Sequence, residues 1–289
     1  MLIALIANPQ KESMPAVAAR LVNAVRAAGS DVVADAALAT VLKGVCTFSD
    51  KLDECDAAIA LGGDGTVLQA VHRVGFAGVP LCGINLGTLG FLAEVPVEEM
   101  EIAIDEIIGG AMVSEARTFL VADSGTPPAQ MALNEIVIDK RGASRMIQID
   151  IDVDGMYLNT YIADGIIVAT PTGSTAYSLS AGGPIVAPAS RDFVITPLAP
   201  HALTARPLIV PDSSKITITA RSDRGTIVLS ADGIDTPLAS SARIEIRRAD
   251  TSVTFLRRPG VSNYDVLRAK LLWGKDARGE ASKKMFRQK

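Results

Sequence analysis

Cysteine, histidine and aromatic residues are scarce in this chain of 289 residues, and long apolar runs are missing altogether. Its three cysteines, Cys46, Cys55 and Cys82, are odd in number and lack CxxC spacing. That excludes a disulfide framework and a cysteine zinc site, and it predicts a reducing, cytoplasmic setting. The two histidines, His72 and His201, have no partners at metal-ligand spacing, so no protein metal site is assigned. No apolar stretch reaches the roughly 18 residues that a membrane span requires. Met1 leads directly into the apolar residues 2–6, without a basic n-region or cleavage site, and no signal peptide is expected. A formal charge of −4 argues against nucleic acid as a partner. Six basic residues between Lys275 and Lys289 read as a solvated terminus.

Three common catalytic loops are absent too. No G-x-x-x-x-G-K-[ST] loop exists, which excludes an ordinary P-loop kinase. No G-x-G-x-x-G follows a strand, because Gly83, Gly87 and Gly90 are too widely spaced, so a hydride-transferring enzyme is poorly supported. No G-x-S-x-G elbow supports a hydrolase.

What is present divides into two styles. Over residues 1–109 strands alternate with helices: residues 2–7 and 57–61 read as strands, 14–28 and 97–108 as helices. This alternation predicts an α/β domain with a parallel sheet covered by helices. From about residue 110 the apolar period becomes two, as in Ile147, Ile149 and Ile151 or Ile216 and Ile218. Residues 110–261 therefore read as a β-rich, largely antiparallel domain. Residues 262–289 read as a C-terminal helix and tail that pack back on the first domain.

Gly62-Gly63-Asp64-Gly65-Thr66 follows the buried strand at 57–61 and leads into an amphipathic helix. Glycines in such a turn permit positive φ and close approach to a ligand, and the helix N-terminus directs unpaired N–H groups at a phosphate. Gly62, Gly63, Gly65 and Thr66 are the candidate phosphate ligands. Asp64 can accept a proton, hold a sugar hydroxyl or meet a metal, or it can simply bond local N–H groups of the turn. A second cluster lies at residues 170–184, where Thr170, Thr172, Ser174, Thr175 and Ser178 crowd around Gly173. Ser174 or Thr175 is suited to cap a short helix ended by Gly182-Gly183-Pro184, but capping leaves several hydroxyls to bind a base or phosphate. Asn134-Glu135 opens the apolar run 136–138 and can grip a base edge and a ribose diol. Asp164-Gly165 and Asp232-Gly233 read as turns.

Taken together, residues 62–66, 85–92, 133–135, 163–165, 170–184, 197–201 and 206–208 resemble the NAD kinases, in the order that family carries them. That resemblance implies phosphorylation of NAD on its adenosine ribose 2′-hydroxyl, with ATP or polyphosphate as donor and Mg²⁺ arriving with ATP. By position, Asp64 would hold the ribose and take the proton, with Glu135 as a second ribose ligand and Gly65 beside the substrate. Asn134, Thr172, Thr175, Ala176, Tyr177 and Ser180 would form the adenine pocket. Phe91 and Leu92 would pack near the dinucleotide, and Asp164 would reach its nicotinamide end across a subunit interface. The active site would lie between the domains. Thr196, Leu198, Ala199, Ala205 and Ile234 depart from residues the family commonly carries.

Residues 62–66 also resemble diacylglycerol and sphingosine kinases, but a lipid kinase leaves residues 170–184 unexplained. A non-catalytic NAD(P) sensor would more naturally have lost Asp64. The resemblance implies a homodimer or tetramer assembled through the β-rich domain, so light scattering at micromolar concentration should give an oligomer. A single species at monomer mass would remove the shared-site expectation.

Overall fold

The structure, a computed structural model, describes residues 1–140, 142, 145–223 and 225–273. Arg224, in the turn expected at 223–225, and the basic tail from Lys275 to Lys289 lie outside the described residues. Two compact units are present: Met1–Glu115 together with the described residues from Thr254 onward, and Ala116–Val253. The chain passes between them within two long strands, so the boundaries fall inside strands rather than at 109 and 261.

In the first unit the elements run β1 (Leu2–Ala7), α1 (Met14–Ala27), β2 (Asp31–Asp35), β3 (Thr47–Ser49), β4 (Ala57–Gly62), α2 (Asp64–Val74), β5 (Leu81–Asn85), β6 (Val95–Pro96) and α3 (Met100–Ile108). The main strands pair in parallel in the order β3-β2-β1-β4-β5. Ile3, Leu5, Ile59, Leu61 and Ile84 form a core with Met14, Leu21 and Val25 of α1 and Ile104 and Ile107 of α3. Gly83 faces the other way, where a Cβ would stand 2.9 Å from Val67 of α2. Helices thus cover both faces, as an all-parallel sheet requires. Strand order reverses between β1 and β4, and the turn after β4 lies at that switch point, at the carboxyl end of the sheet, where such folds bind ligands.

The second unit begins within β7 (Val113–Asp123) and continues through β8 (Gln130–Ala132), β9 (Glu135–Asp139), β10 (Ile147–Val153), β11 (Met156–Ala163), β12 (Gly165–Ala169), the short helix α4 (Tyr177–Ser180), β13 (Asp192–Leu198), β14 (Leu208–Pro211), β15 (Ile216–Arg221), β16 (Ile227–Ala231), β17 (Ile234–Leu238) and most of β18 (Ser241–Arg257). One antiparallel sheet has the order β14-β13-β12-β9-β16-β17. A second joins β11, β10, β15 and β18, also antiparallel. Ile147, Ile149, Ile151, Ile216, Ile218, Ile244 and Ile246 of the latter share a core with Ile136, Ile138, Ile166, Phe193 and Leu229 of the former. Alternation in these strands therefore buries one side chain in two between facing sheets.

The end of β18 rejoins the first unit, where Phe255 pairs with Leu81. Arg257 bonds Glu94 at 2.8 Å and Glu115, while Arg258 bonds Glu106 at 2.7 Å and Glu99. The last described helix, α5 (Asn263–Lys270), starts with a capping box between Ser262 and Asp265. Among the described residues no helix is long and apolar enough to cross a membrane.

Gly173 lies tightly against the backbone that precedes β9: a Cβ there would stand 2.0 Å from the Asn134 carbonyl oxygen. Backbone cannot yield as a side chain does, so Gly173→Ala should lower unfolding free energy by about 3 kcal/mol or more in urea titrations. A variant of unchanged midpoint would show that the contact relaxes freely.

Candidate active site

In the first unit two distant sequence motifs meet through strand register. Gly62 pairs with Asn85, and the Leu86 N–H donates to the Gly62 carbonyl at 3.0 Å. Buried Asn85 turns the chain after β5 by accepting from Gly87 N–H at 2.7 Å and donating to the Thr88 carbonyl. The loop then returns residues 90–93 to the start of α2. There the Asp64 carboxylate accepts three consecutive backbone N–H groups: Phe91 to Oδ2 at 2.8 Å, and Leu92 and Ala93 to Oδ1 at 2.9 and 3.0 Å. A carboxylate has about four acceptor positions, so one remains, on Oδ2.

Positive φ is not what the glycines at the turn supply. Gly63 has φ −115°, and neither Gly62 nor Gly65 is left-handed. Gly62 is required by packing instead, since its Cβ would stand 2.2 Å from the hydroxyl of buried Thr66. Gly63 and Gly65 have open space where a Cβ would be. Gly63 caps α2 without a side-chain hydrogen bond, so the helix presents uncapped N–H groups beside that space. Gly90 is the further glycine the motif needs: its Cβ would stand 2.0 Å from Asp64 Oδ1. Leu92 is buried, and Lys270 of α5 stands 5.6 Å from the Phe91 ring centroid, within cation–π range.

In the second unit register again joins separate motifs. Glu135 pairs with Ala169, which sets residue 170 beside residue 134. Thr170 donates its N–H to the Asn134 carbonyl at 2.9 Å and its hydroxyl to the Leu133 carbonyl at 2.5 Å. The other hydroxyls are also engaged. Ser174 donates to the Pro171 carbonyl at 2.7 Å and accepts from Val186 N–H at 3.0 Å, while Thr175 donates to the Thr172 carbonyl at 3.1 Å. Ser178 bonds Thr196 at 3.0 Å, and Thr172 accepts from buried Arg117 at 3.2 Å. Neither Ser174 nor Thr175 caps a helix. Ala176 precedes α4 and the cap has no side-chain bond, because these hydroxyls instead tie an irregular loop to its own carbonyls.

What this loop leaves open is backbone and amide. The Asn134 side chain is half-buried, whereas Tyr177 and Ser180 are exposed. Asp164 is ion-paired to Lys140 at 2.7 Å. Glu135 Oε2 is buried with no hydrogen-bond partner, the kind of orphaned acceptor that a substrate hydroxyl satisfies. The Asp232 side chain, read from sequence as part of a plain turn, accepts from Leu133, Asn134 and Glu135 N–H at 2.7, 2.8 and 3.2 Å. Nothing in the local sequence signals that contact, which spans 97–99 residues. Among the described residues no three His, Cys, Asp or Glu side chains gather to hold a metal ion.

Residues 3–112 match the family model of the ATP-NAD kinase N-terminal domain, and residues 133–258 that of the C-terminal domain. The chain belongs to the NAD kinase family. A curated NAD kinase of Bacteroides fragilis is 44% identical over 234 residues, 80% of this chain and 81% of the relative. One from Moorella thermoacetica is 38% identical over 280 residues, 94% and 89% of the respective chains. Among solved structures, yeast NADH kinase complexed with NADH superposes with a TM-score of 0.87 at 27% identity, covering 96% of this chain and 89% of that one. An Archaeoglobus fulgidus NAD kinase in complex with ATP gives 0.77 at 26%, covering 93% and 99%. Both motif groups lie within the segments matched to the NAD kinase domains.

Burial first, and the Asp232 charge second, raise the Glu135 carboxyl to about 7; the Tyr177 backbone N–H opposes them. Between roughly pH 4.5 and 7 the folded chain therefore holds a proton that the unfolded chain has released. The stabilisation is full below that window and lost as pH rises through it. Glu135→Gln cannot ionise, so its stability relative to wild type should rise by about 2–3 kcal/mol between about pH 4.5 and pH 8. Denaturant titrations at the two pH values read this directly, and a constant difference would mean that Glu135 titrates normally.

Proposed function

We propose that this chain transfers the γ-phosphoryl group of ATP to the 2′-hydroxyl of the adenosine ribose of NAD, forming NADP. The observation that carries this reading is the Asp64 carboxylate, set at the first turn of α2 between Gly63 and Gly65, both with open space where a Cβ would be. Three backbone N–H bonds hold it in place and one acceptor position on Oδ2 is left. That position takes the ribose 2′-hydroxyl. Its oxygen attacks the γ-phosphorus in line, the bond to the bridging oxygen breaks, ADP departs, and the proton passes to Asp64 as the new bond forms.

Gly62, Gly63, Gly65 and Thr66 with the α2 N-terminus take the donor phosphates. Glu135 accepts from the ribose through its partnerless Oε2. Asn134, Thr172, Ala176, the Thr175 backbone, Tyr177 and Ser180 receive the adenine, with Phe91 and Leu92 beside the dinucleotide and Asp164 at its nicotinamide end. Mg²⁺ arriving with ATP would be held chiefly by the donor's own phosphates, as its reluctance to shed water favours, and would supply neutralising charge there. Polyphosphate is a second possible donor in this scheme. A cytoplasmic setting and self-association through the β-rich unit belong to it too, and exposed Met156 and Tyr157 on β11 and Ile209 on β14 support the self-association.

Incubation with Mg-ATP and NAD, followed by an NADP-specific dehydrogenase, tests the activity. Asp64→Asn keeps the shape but, with its oxygen toward the Leu92 and Ala93 N–H groups, turns its NH₂ toward the Phe91 N–H. NAD binding in calorimetry should weaken by about tenfold at most while turnover falls by ~10²-fold or more. Unchanged turnover would remove Asp64 from the chemistry, and NAD binding without any NADP would favour a sensor.

A further inference from the structure

We propose that Asp232 is a positioning residue for the kinase reaction, its carboxylate fixing the backbone of Leu133, Asn134 and Glu135 and through it the two side chains that receive the adenosine. This rests on the reading that Asn134 and Glu135 bind that part of NAD. Successive N–H groups of an extended strand point to opposite sides, so three that converge on one carboxylate define a bent backbone. Oδ2 takes Leu133 at 2.7 Å, and Oδ1 takes Asn134 at 2.8 Å and Glu135 at 3.2 Å. The main chain adds a fourth link, Asp232 N–H to the Glu135 carbonyl at 3.1 Å.

The turn itself does not call for a carboxylate. Asp232 and Gly233 have φ of 50° and 85° between β16 and β17, a two-residue hairpin in which Asn-Gly serves as well as Asp-Gly. The three N–H groups that it accepts distinguish Asp from Asn here. An Asn would keep one oxygen and turn its NH₂ against a backbone donor. Asp232 is also the charged group acting on Glu135, opposed by the Tyr177 N–H. The same residue thus holds the Glu135 backbone and adds to the effect of burial in raising the pH at which its carboxyl ionises.

Steady-state kinetics on the full chain, with NAD varied at saturating Mg-ATP from about pH 5.5 to pH 9, compares wild type, Asp232→Asn, Glu135→Gln and the double variant. Asp232→Asn should raise KM for NAD about tenfold, with KM for ATP within about twofold, since misplacement acts on the displaced group alone. As pH falls, ionised Glu135 is lost and KM for NAD rises. Asp232→Asn should move that rise to lower pH, because a nearby negative charge is gone. Glu135→Gln should abolish the shifted component, alone and in the double variant.

If Glu135→Gln alters KM for NAD while Asp232→Asn leaves both KM and the pH profile as in wild type, the proposal is overturned. If Glu135→Gln itself changes nothing, the assignment of the adenosine site has failed first and the proposal falls with it. Asp232→Gly, which suits positive φ, carries the same comparison if the Asn variant does not fold. Failure of both to fold would make Asp232 a structural residue only.

Discussion

A carboxylate closing on three consecutive backbone N–H groups is the constraint on which both motif clusters rest. Where a strand ends and the chain turns back, the next few N–H groups have no ladder partner, and burying them unpaired is costly. Asp64 meets this need for residues 91–93 and Asp232 for residues 133–135. Each uses an anion with about four acceptor positions, which no neutral side chain matches. Each thereby ties together segments distant in sequence and supplies an irregular loop with hydrogen bonds that no ladder provides.

Close backbone approach follows from these ties and explains the glycines better than turn conformation does. Gly90 yields to the Asp64 carboxylate, Gly173 to the Asn134 carbonyl, and Gly62 to Thr66. The open space over Gly63 and Gly65 is the complementary case, where no protein atom approaches and a ligand can. Hydroxyls at 170–178 follow the same logic. They hold the loop in shape, whereas Glu135 Oε2 beside it is left without a hydrogen-bond partner.

The two carboxylates proposed for the ribose are held in opposite ways. Asp64 is nearly saturated by N–H donors. Glu135 is partly buried with its Oε2 partnerless, and desolvation first and the Asp232 charge second lift its ionisation to about 7. Phosphoryl transfer needs little covalent chemistry from the protein and much positioning. A pre-shaped backbone on each unit, rather than an unusually reactive group, is what this chain supplies.

Much of this was legible in the order of residues. Alternating elements up to about residue 110 announced a parallel sheet, because helix and strand periods differ and only their alternation fits that layering. Period-two isoleucines at 147–151, 216–218 and 244–246 announced largely antiparallel strands for the same reason, while the facing of two sheets over those isoleucines came from the structure. The glycine turn and residues 170–184 were recognisable through their resemblance to a known family, and close backbone packing accounts for Gly62 and Gly173 among them. Tertiary structure alone decided what those residues touch. Register put Gly62 opposite Asn85 and Glu135 opposite Ala169, and it turned Asp64 and Asp232 from turn aspartates into clasps on chain 27–29 and 97–99 residues away. Local sequence fixes a residue's conformational preference; a hydrogen bond across the fold depends on where two strands stop, which only their pairing determines.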